Sequence, residues 1–481
     1  MPGEYDVVVI GAGTGGYVAA IRAAQLGLKV AVVEKQRALG GTCLLWGCIP
    51  TKALLEHAHA LKVVQNSKDW GIALDPSPGA GHVRATVDMP VVQDRKDKIV
   101  AGLTKGVEFL FKKHKIDWIK GAATLAGGGT VDIDIANGGE KQTVRATKEI
   151  VVATGSTPRS VPGIEIDHSR IITSDEAIHL KEVPASIAIM GSGAVGVEFA
   201  SIFHRFGSQV TIIELLPRLV PVEDEAVSAE LEKSFTKRGI VCHTGAKVTA
   251  AKSTKNSVSV QVQLAGGSSQ SLDVAYLLVA TGRGPVTTGL NAEGVGLQMD
   301  RGYIKVDAQY RTNVPGISAI GDVITMGTAG HPQLAHVSSA EGILTAERIA
   351  GHQVRPLNYD HVPGCTYCDP EIGSVGLTER EARERGHDVR IGSFPFGVLG
   401  RAKMAGETEG FVKIVADGKT DALLGVHMIG ARSTELVAEA TAALRLESTV
   451  QELITTIHAH PTMAEAIGEA AHAVHGAAIH L

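Results

Sequence analysis

The chain is 481 residues long, and length alone suggests about three domains. Its 44% hydrophobic and 20% charged residues are those of a globular protein, and 46 Lys+Arg against 51 Asp+Glu leave a net charge of −5, poorly suited to a polyphosphate backbone. Aromatic residues are only 4%, too few for a base-stacking platform, and no apolar run reaches the ~18 residues of a membrane span. Neither nucleic acid nor membrane is therefore expected as a partner. The N-terminus has no basic segment ahead of its first apolar run, so neither a signal nor a transit peptide is read there, and a cytoplasmic location is expected. Five cysteines in so long a chain are not a disulfide framework. The 56 glycines call for tight turns and close backbone approaches.

Residues 5–10 read as a strand, Gly11-Ala-Gly13-Thr-Gly-Gly16 as a turn, 17–26 as a helix ended by Gly27, and 29–34 as a strand closing on Glu34. This is a dinucleotide-binding βαβ unit. It occurs twice. A strand at 186–190, the turn Gly191-Ser-Gly193-Ala-Val-Gly196, a helix at 197–206 and a strand at 209–214 ending in Glu214 repeat the order. From first glycine to acid the spacing is 23 residues in both copies. Residues 150–155 and 277–282 are near-identical strands ending in Ala-Thr-Gly, each after β-rich sequence. The layout predicted is α/β: two Rossmann-like dinucleotide-binding domains, the second inserted in the first, followed by a C-terminal α+β domain. The boundaries predicted are 1–155 and 283–350 for the first, 156–282 for the second and 351–481 for the last. In that last segment 411–415 and 423–428 alternate like antiparallel strands, and 434–446 and 462–474 read as helices.

Chemistry concentrates in Gly40-Gly-Thr-Cys43-Leu-Leu-Trp-Gly-Cys48-Ile-Pro-Thr-Lys52. On an unbroken helix, cysteines five apart would have Cα atoms roughly 8–9 Å apart, beyond the ~7 Å limit for a disulfide. A distorted turn is expected, with Gly47 allowing the bend and Pro50 opening the next helix. Cys48 then lies at a helix N-terminus, which favours a thiolate. The segment reads as a reactive dithiol, or, more plainly, as two buried thiols. Cys365-Thr-Tyr-Cys368 is a second close pair, structural or auxiliary redox, and Cys242 reads as a lone core residue.

Gly-Gly-Thr-Cys43, Cys48-Ile-Pro-Thr-Lys52 and His458-Ala-His460-Pro461-Thr-Met-Ala-Glu465 together resemble the flavin disulfide reductases (class I pyridine nucleotide-disulfide oxidoreductases), and within them the dihydrolipoamide dehydrogenase family, from Val7 to the C-terminus. The resemblance implies FAD on the first unit, held by Gly11, Gly13, Gly16 and Glu34, with Gly155, Asp322, Leu334, Ala335 and His336 against it. Lys52 would sit near the flavin and pair with Glu198. NAD would be held by Gly191, Gly193, Gly196, Glu214 and Gly282. Glu214 itself argues for NAD, because an acid at this strand end bonds a 2′-hydroxyl and repels a 2′-phosphate. By resemblance Cys43 is the interchange sulfur of a redox-active disulfide and Cys48 the sulfur beside the flavin. His460 is the base and Glu465 orients it.

The family also implies a homodimer through the C-terminal domain, with the active site shared between subunits. Its substrate is carried on the lipoyl domain of a partner acyltransferase or of a glycine cleavage carrier protein. Two alternatives stand beside these roles: Thr462-x-x-Glu465 fits a helix capping box, and the His-x-His pair could ligate metal, though no further His or Cys is clustered with it in sequence. Leu45 departs from the Asn usual in the family, and Trp46 is bulky for the dithiol loop. Glutathione-type reductases would carry basic residues in place of Glu214, mercuric reductases a C-terminal cysteine pair, and transhydrogenases no dithiol. A non-catalytic scaffold would have no use for Cys43, Cys48, His460 and Glu465.

Overall fold

The computed structural model describes residues 3–74, 85–327 and 330–481, with Asn137 described by its backbone alone. The chain divides into two compact units. The first comprises Met1–Ala53, Pro90–Arg159 and Gly282–Leu357. The second comprises Leu54–Met89, Ser160–Thr281 and Asn358–Leu481.

The first unit is built on strand Gly3–Ile10, which pairs in parallel with Val30–Glu34 on one side and with Gln142–Val152 on the other. Asp117–Gly127 adds to the outer edge of Val30–Glu34, and Ile317–Ala319 adds in parallel to Gln142–Val152. Val7 to Ile10 and Ile150 to Val152 are buried, as the centre of a sheet covered on both faces requires. Helix Thr14–Gln25 packs beside helix Ala335–Ile349. Sequence after residue 283 therefore completes the sheet that the N-terminus began.

The second unit contains two larger sheets. One is parallel, in the order Val241–His243, Gln209–Ile213, Ser186–Met190, Tyr276–Val279, Ile171–Ile172. Counting only the parallel strands, from the strand that leads into each glycine turn, both sheets place their strands third, second, first, fourth. The duplication seen in the motifs is thus a duplication of topology. The other large sheet is antiparallel: Gly364–Thr366, Ile372–Gly376, Leu423–Gly430, Gly410–Asp417, Val389–Pro395. Helix Glu465–Val474 covers its last two strands and Ser433–Arg445 its second and third.

Three expectations need correction. The glycine-turn helices begin at Thr14 and Ala194, three residues earlier than predicted, because the end of each turn is already the first helical turn. The last helix begins at Glu465, not at Thr462. Cys242 is half-buried, because Val241–His243 is an edge strand. Among the described residues, no helix is long and apolar enough to cross a membrane.

Candidate active site and nucleotide turns

The dithiol segment is two helices, Gly41–Leu45 and Cys48–Gln65, broken at Trp46–Gly47. The break moves Cys48 off the first helix axis, and the Cys43 and Cys48 side chains hydrogen-bond each other. Cys48 is the first residue of an eighteen-residue helix, where the helix dipole favours negative charge. Pro50 is therefore its third residue, still within the turn whose N–H groups need no helical partner. Gly47 is required for closeness rather than for freedom, since a Cβ there would lie 2.8 Å from the Thr42 carbonyl oxygen. Gly41 sets the segment's place: a Cβ on it would fall 2.5 Å from Gly13 Cα, so only glycine lets the dithiol helix abut the first glycine turn. The hydrogen bond to Cys48 first, and burial second, push the Cys43 thiol up, while Lys52 pulls it down.

The two glycine turns match in detail. Glu34 accepts from Ala12 N–H at 2.7 Å with one oxygen and from Gln36 N–H at 2.8 Å with the other. Glu214 accepts from Ser192 N–H at 2.7 Å and Ser192 Oγ at 2.8 Å with one oxygen, and from Leu216 N–H at 2.8 Å with the other. Both acids are 7% exposed. Each acid is tied to its turn by one oxygen and to the chain two residues on by the other. Gly13 and Gly193 cap helices of twelve and thirteen residues with no side-chain cap, leaving the first N–H groups directed out of the turn. Gly16 and Gly196 admit the helix to the strand, since a Cβ on either would fall 2.0 Å from the carbonyl oxygen of Gly11 or Gly191. At Gly155, Gly193 and Gly282 an added Cβ would meet nothing within 4 Å. The uncapped starts of these two helices, with open space beside Gly193, fit a dinucleotide at each glycine turn.

Asp322 belongs to the first unit and is close enough to Cys43 to disfavour its thiolate. Burial pushes Asp322 above the ordinary carboxylate range, while Ser156, whose hydroxyl donates to it at 2.5 Å, works against that. Arg283 donates to Ser156 Oγ at 2.7 Å and to the Ser156 carbonyl at 2.7 Å, and reaches Thr42 Oγ1 at 3.4 Å. Sequence reasoning missed this Thr42–Arg283–Ser156–Asp322 chain. Its signal was the repeat itself, because Ser156 and Arg283 directly follow the two Ala-Thr-Gly strands. Leu334 caps the helix begun by Ala335 and His336. Buried in the same unit, Glu341 accepts from Gly321 N–H at 2.7 Å and lies 2.6 Å from His331 Nε2.

In the second unit Glu198 is buried on helix Ala194–Phe206 and accepts from Tyr367 N–H at 3.0 Å. Gly282 falls in the first unit, where its carbonyl accepts from Arg159 N–H. Arg218 is held by Glu225 at 2.8 Å and by the Pro221 carbonyl at 3.0 Å. Cys365 and Cys368 donate to different carbonyls, those of Thr434 and Pro370, and burial above all pushes Cys368 well up.

His460 is exposed, and its Nδ1 lies 2.8 Å from Glu465 Oε1. A carboxylate only accepts, so Nδ1 carries the proton and Nε2 is left to accept one. Glu465 Oε2 accepts from Thr462 N–H at 2.9 Å, while the Thr462 hydroxyl turns to the Ala459 carbonyl. The capping box is thus only half made. Burial opposes ionisation of Glu465, but the bonds from His460 and Thr462 outweigh it and hold this acid below the ordinary carboxylate range.

Residues 5–342 match the pyridine nucleotide-disulphide oxidoreductase family, and residues 362–471 match the dimerisation domain of that family. The chain is 46% identical to a dihydrolipoyl dehydrogenase of Bacillus subtilis over 100% of both chains, and 43% identical to dihydrolipoyl dehydrogenase 3 of Pseudomonas aeruginosa over 99% of both. Its fold is similar to that of LpdA from Mycobacterium tuberculosis, with a TM-score of 0.87 and 26% identity over 98% of this chain and 99% of that one. With two matching nucleotide turns, a dithiol against the first of them and family matches over residues 5–342 and 362–471, the chain belongs to the pyridine nucleotide-disulphide oxidoreductase family.

Proposed function

We propose that this chain oxidises dihydrolipoamide to lipoamide with NAD+ as acceptor, through the Cys43–Cys48 pair and FAD. The observation that carries the reading is the contact of Cys43 with Cys48 on a helix that abuts the first glycine turn. Gly11, Gly13, Gly16, Glu34, Gly155 and Asp322 would hold FAD, and Gly191, Gly193, Gly196 and Glu214 would hold NAD. Bound FAD supplies a two-electron carrier between the dithiol and the nicotinamide.

The protein's own residues handle the protons and sulfurs. Glu465 fixes His460 as the Nδ1–H tautomer, so Nε2 takes the proton of one substrate thiol. The resulting thiolate attacks Cys43 Sγ of the oxidised pair. The Cys43–Cys48 bond breaks and Cys48 leaves as thiolate at its helix N-terminus, one turn before Lys52. The second substrate thiol then attacks the substrate sulfur bonded to Cys43 and closes the lipoamide disulfide. Cys43 departs with the proton that His460 held, and His460 in turn takes the proton of the second substrate thiol. The opposing effects on Cys43 suit this division: Cys48 holds the charge and Cys43 holds the proton.

The chain forms the homodimer of its family through the 362–471 domain. In that dimer His460 serves Cys43 and Cys48 of the partner subunit. The substrate arm arrives on a lipoyl domain of an acyltransferase in a 2-oxo acid dehydrogenase complex, or on a glycine cleavage carrier protein, in the cytoplasm.

The test is NADH formation by the purified yellow protein with dihydrolipoamide, run in parallel with NAD+ and NADP+. Rapid turnover with NAD+ and little with NADP+ is expected. FAD-loaded protein that is inert with dihydrolipoamide would move the substrate to another disulfide.

A further inference from the structure

The residue between the first two glycines of each turn is held from both sides. On one side its N–H goes to the strand-end acid: Ala12 to Glu34 and Ser192 to Glu214, each at 2.7 Å. On the other side its carbonyl accepts from a residue in the loop that follows. Gly40 N–H donates to Ala12 O at 2.9 Å, and Val220 N–H donates to Ser192 O at 3.1 Å. In both units the donor comes 28 residues after the acceptor. Both donors have left-handed backbones, Gly40 at φ +119° and Val220 at φ +38°.

Glycine takes such a conformation at no steric cost, whereas for a β-branched residue it is a genuine outlier. Strain of this kind persists only where the surroundings over-determine it. They do so here. The Val220 side chain is 1% exposed, and its carbonyl accepts from Glu223 N–H at 2.9 Å and from Ser228 Oγ at 3.3 Å. Two repeats that differ in sequence at this point keep the same bond, although in one of them the bond strains the backbone.

We infer that Val220 is a positioning residue for coenzyme binding: its amide locks the Ser192 peptide, so that the Gly191–Gly196 turn is in binding geometry before the coenzyme arrives. This rests on the assignment of that turn to NAD.

The test uses the FAD-loaded enzyme and two substitutions. Val220→Pro removes the donor and cannot adopt φ +38°, whereas Val220→Gly keeps the donor and relieves the strain. Val220→Pro is expected to raise KM for NAD+ about tenfold, the loss of one net hydrogen bond, with kcat changed less than about threefold. Val220→Gly should stay within about twofold of the parent KM. FAD content and reduction of the flavin by dihydrolipoamide without NAD+ should be unchanged in both, which general loss of structure would not allow. Independently, amide exchange at Val220 should already be slow without NAD+. A parent-like KM in Val220→Pro, an equal rise in Val220→Gly, or exchange at the rate of an open loop amide would each overturn the inference, and the exchange result decides should Val220→Pro not fold. Failure of the parent enzyme to use NAD+ would instead overturn the assignment of the turn, and the inference with it.

Discussion

Glu465 holds His460 with one carboxylate oxygen, at 2.8 Å from Nδ1, and the Thr462 amide with the other, at 2.9 Å. Catalytic orientation and helix capping, which compete for Glu465 in the sequence, are divided between its two oxygens. Glu465→Gln keeps a single carbonyl acceptor and adds an amide donor, so it cannot fix the Nδ1–H tautomer and satisfy Thr462 together. Its kcat with dihydrolipoamide should fall by about 10²-fold or more, the range for a disabled general base. NADH-driven reduction of ferricyanide, which needs no thiol base, should be retained. A parent-like kcat would remove Glu465 from the mechanism.

Two residues before His460, His458 Nε2 lies 2.7 Å from Glu439. That hydrogen bond raises the imidazole above its ordinary 6.5, against an opposing effect of burial. A raised folded value means the charged pair stabilises the fold fully below about pH 6.5 and ceases to do so as pH rises through the higher folded value. Thermal midpoints should therefore fall across that window more in the parent than in His458→Gln. Parallel curves for the two proteins would show that the pair contributes nothing.

Cys43→Ser keeps the fold and the helix that abuts the glycine turn but removes the sulfur open to attack. Turnover of dihydrolipoamide should be lost while FAD remains bound. Residual lipoamide turnover near the parent rate would count against the thiol chemistry altogether.

The chemistry was legible in the sequence wherever it followed from local backbone. Gly11, Gly16, Gly191 and Gly196 announced the turns, and the equal spacing to Glu34 and Glu214 announced the duplication. What escaped was side-chain contact at long range. Arg283 meets Thr42 across 241 residues and Lys413 meets Asp224 across 189, and neither has a periodic signature. Helix starts were misplaced for a related reason: Thr462 signals a cap locally, yet its hydroxyl turns to Ala459 and the helix waits for Glu465.

Glu214 accepts from Ser192 and Leu216 and is the acid proposed to receive the ribose of NAD. Glu214→Ala should raise KM for NAD+ by roughly tenfold or more, as a buried donor pair loses its acceptor. It should not create NADP+ activity, because Arg218 remains occupied by Glu225 and Pro221. Parallel assays with the two coenzymes check this, and efficient NADP+ use by Glu214→Ala would show that the acid alone excludes the 2′-phosphate.

Lys413 is 8% exposed on its strand and meets Asp224 at 2.9 Å and Glu379 at 2.8 Å. Burial opposes ionisation of Asp224, but the Lys413 ammonium keeps it below the ordinary carboxylate range. Asp224 also caps helix Glu225–Arg238 through Ala226 N–H, so one buried cation ties that helix to the antiparallel sheet of the same unit. Lys413→Met should destabilise that unit by about 3–5 kcal/mol, since a buried carboxylate then has no counter-charge. Adding Asp224→Asn should recover much of the loss, because removing both charges avoids the uncompensated one. Calorimetric midpoints of the parent, single and double variants decide the matter: a double variant no better than Lys413→Met would mean that Lys413 acts through packing of its aliphatic stem rather than through its charge.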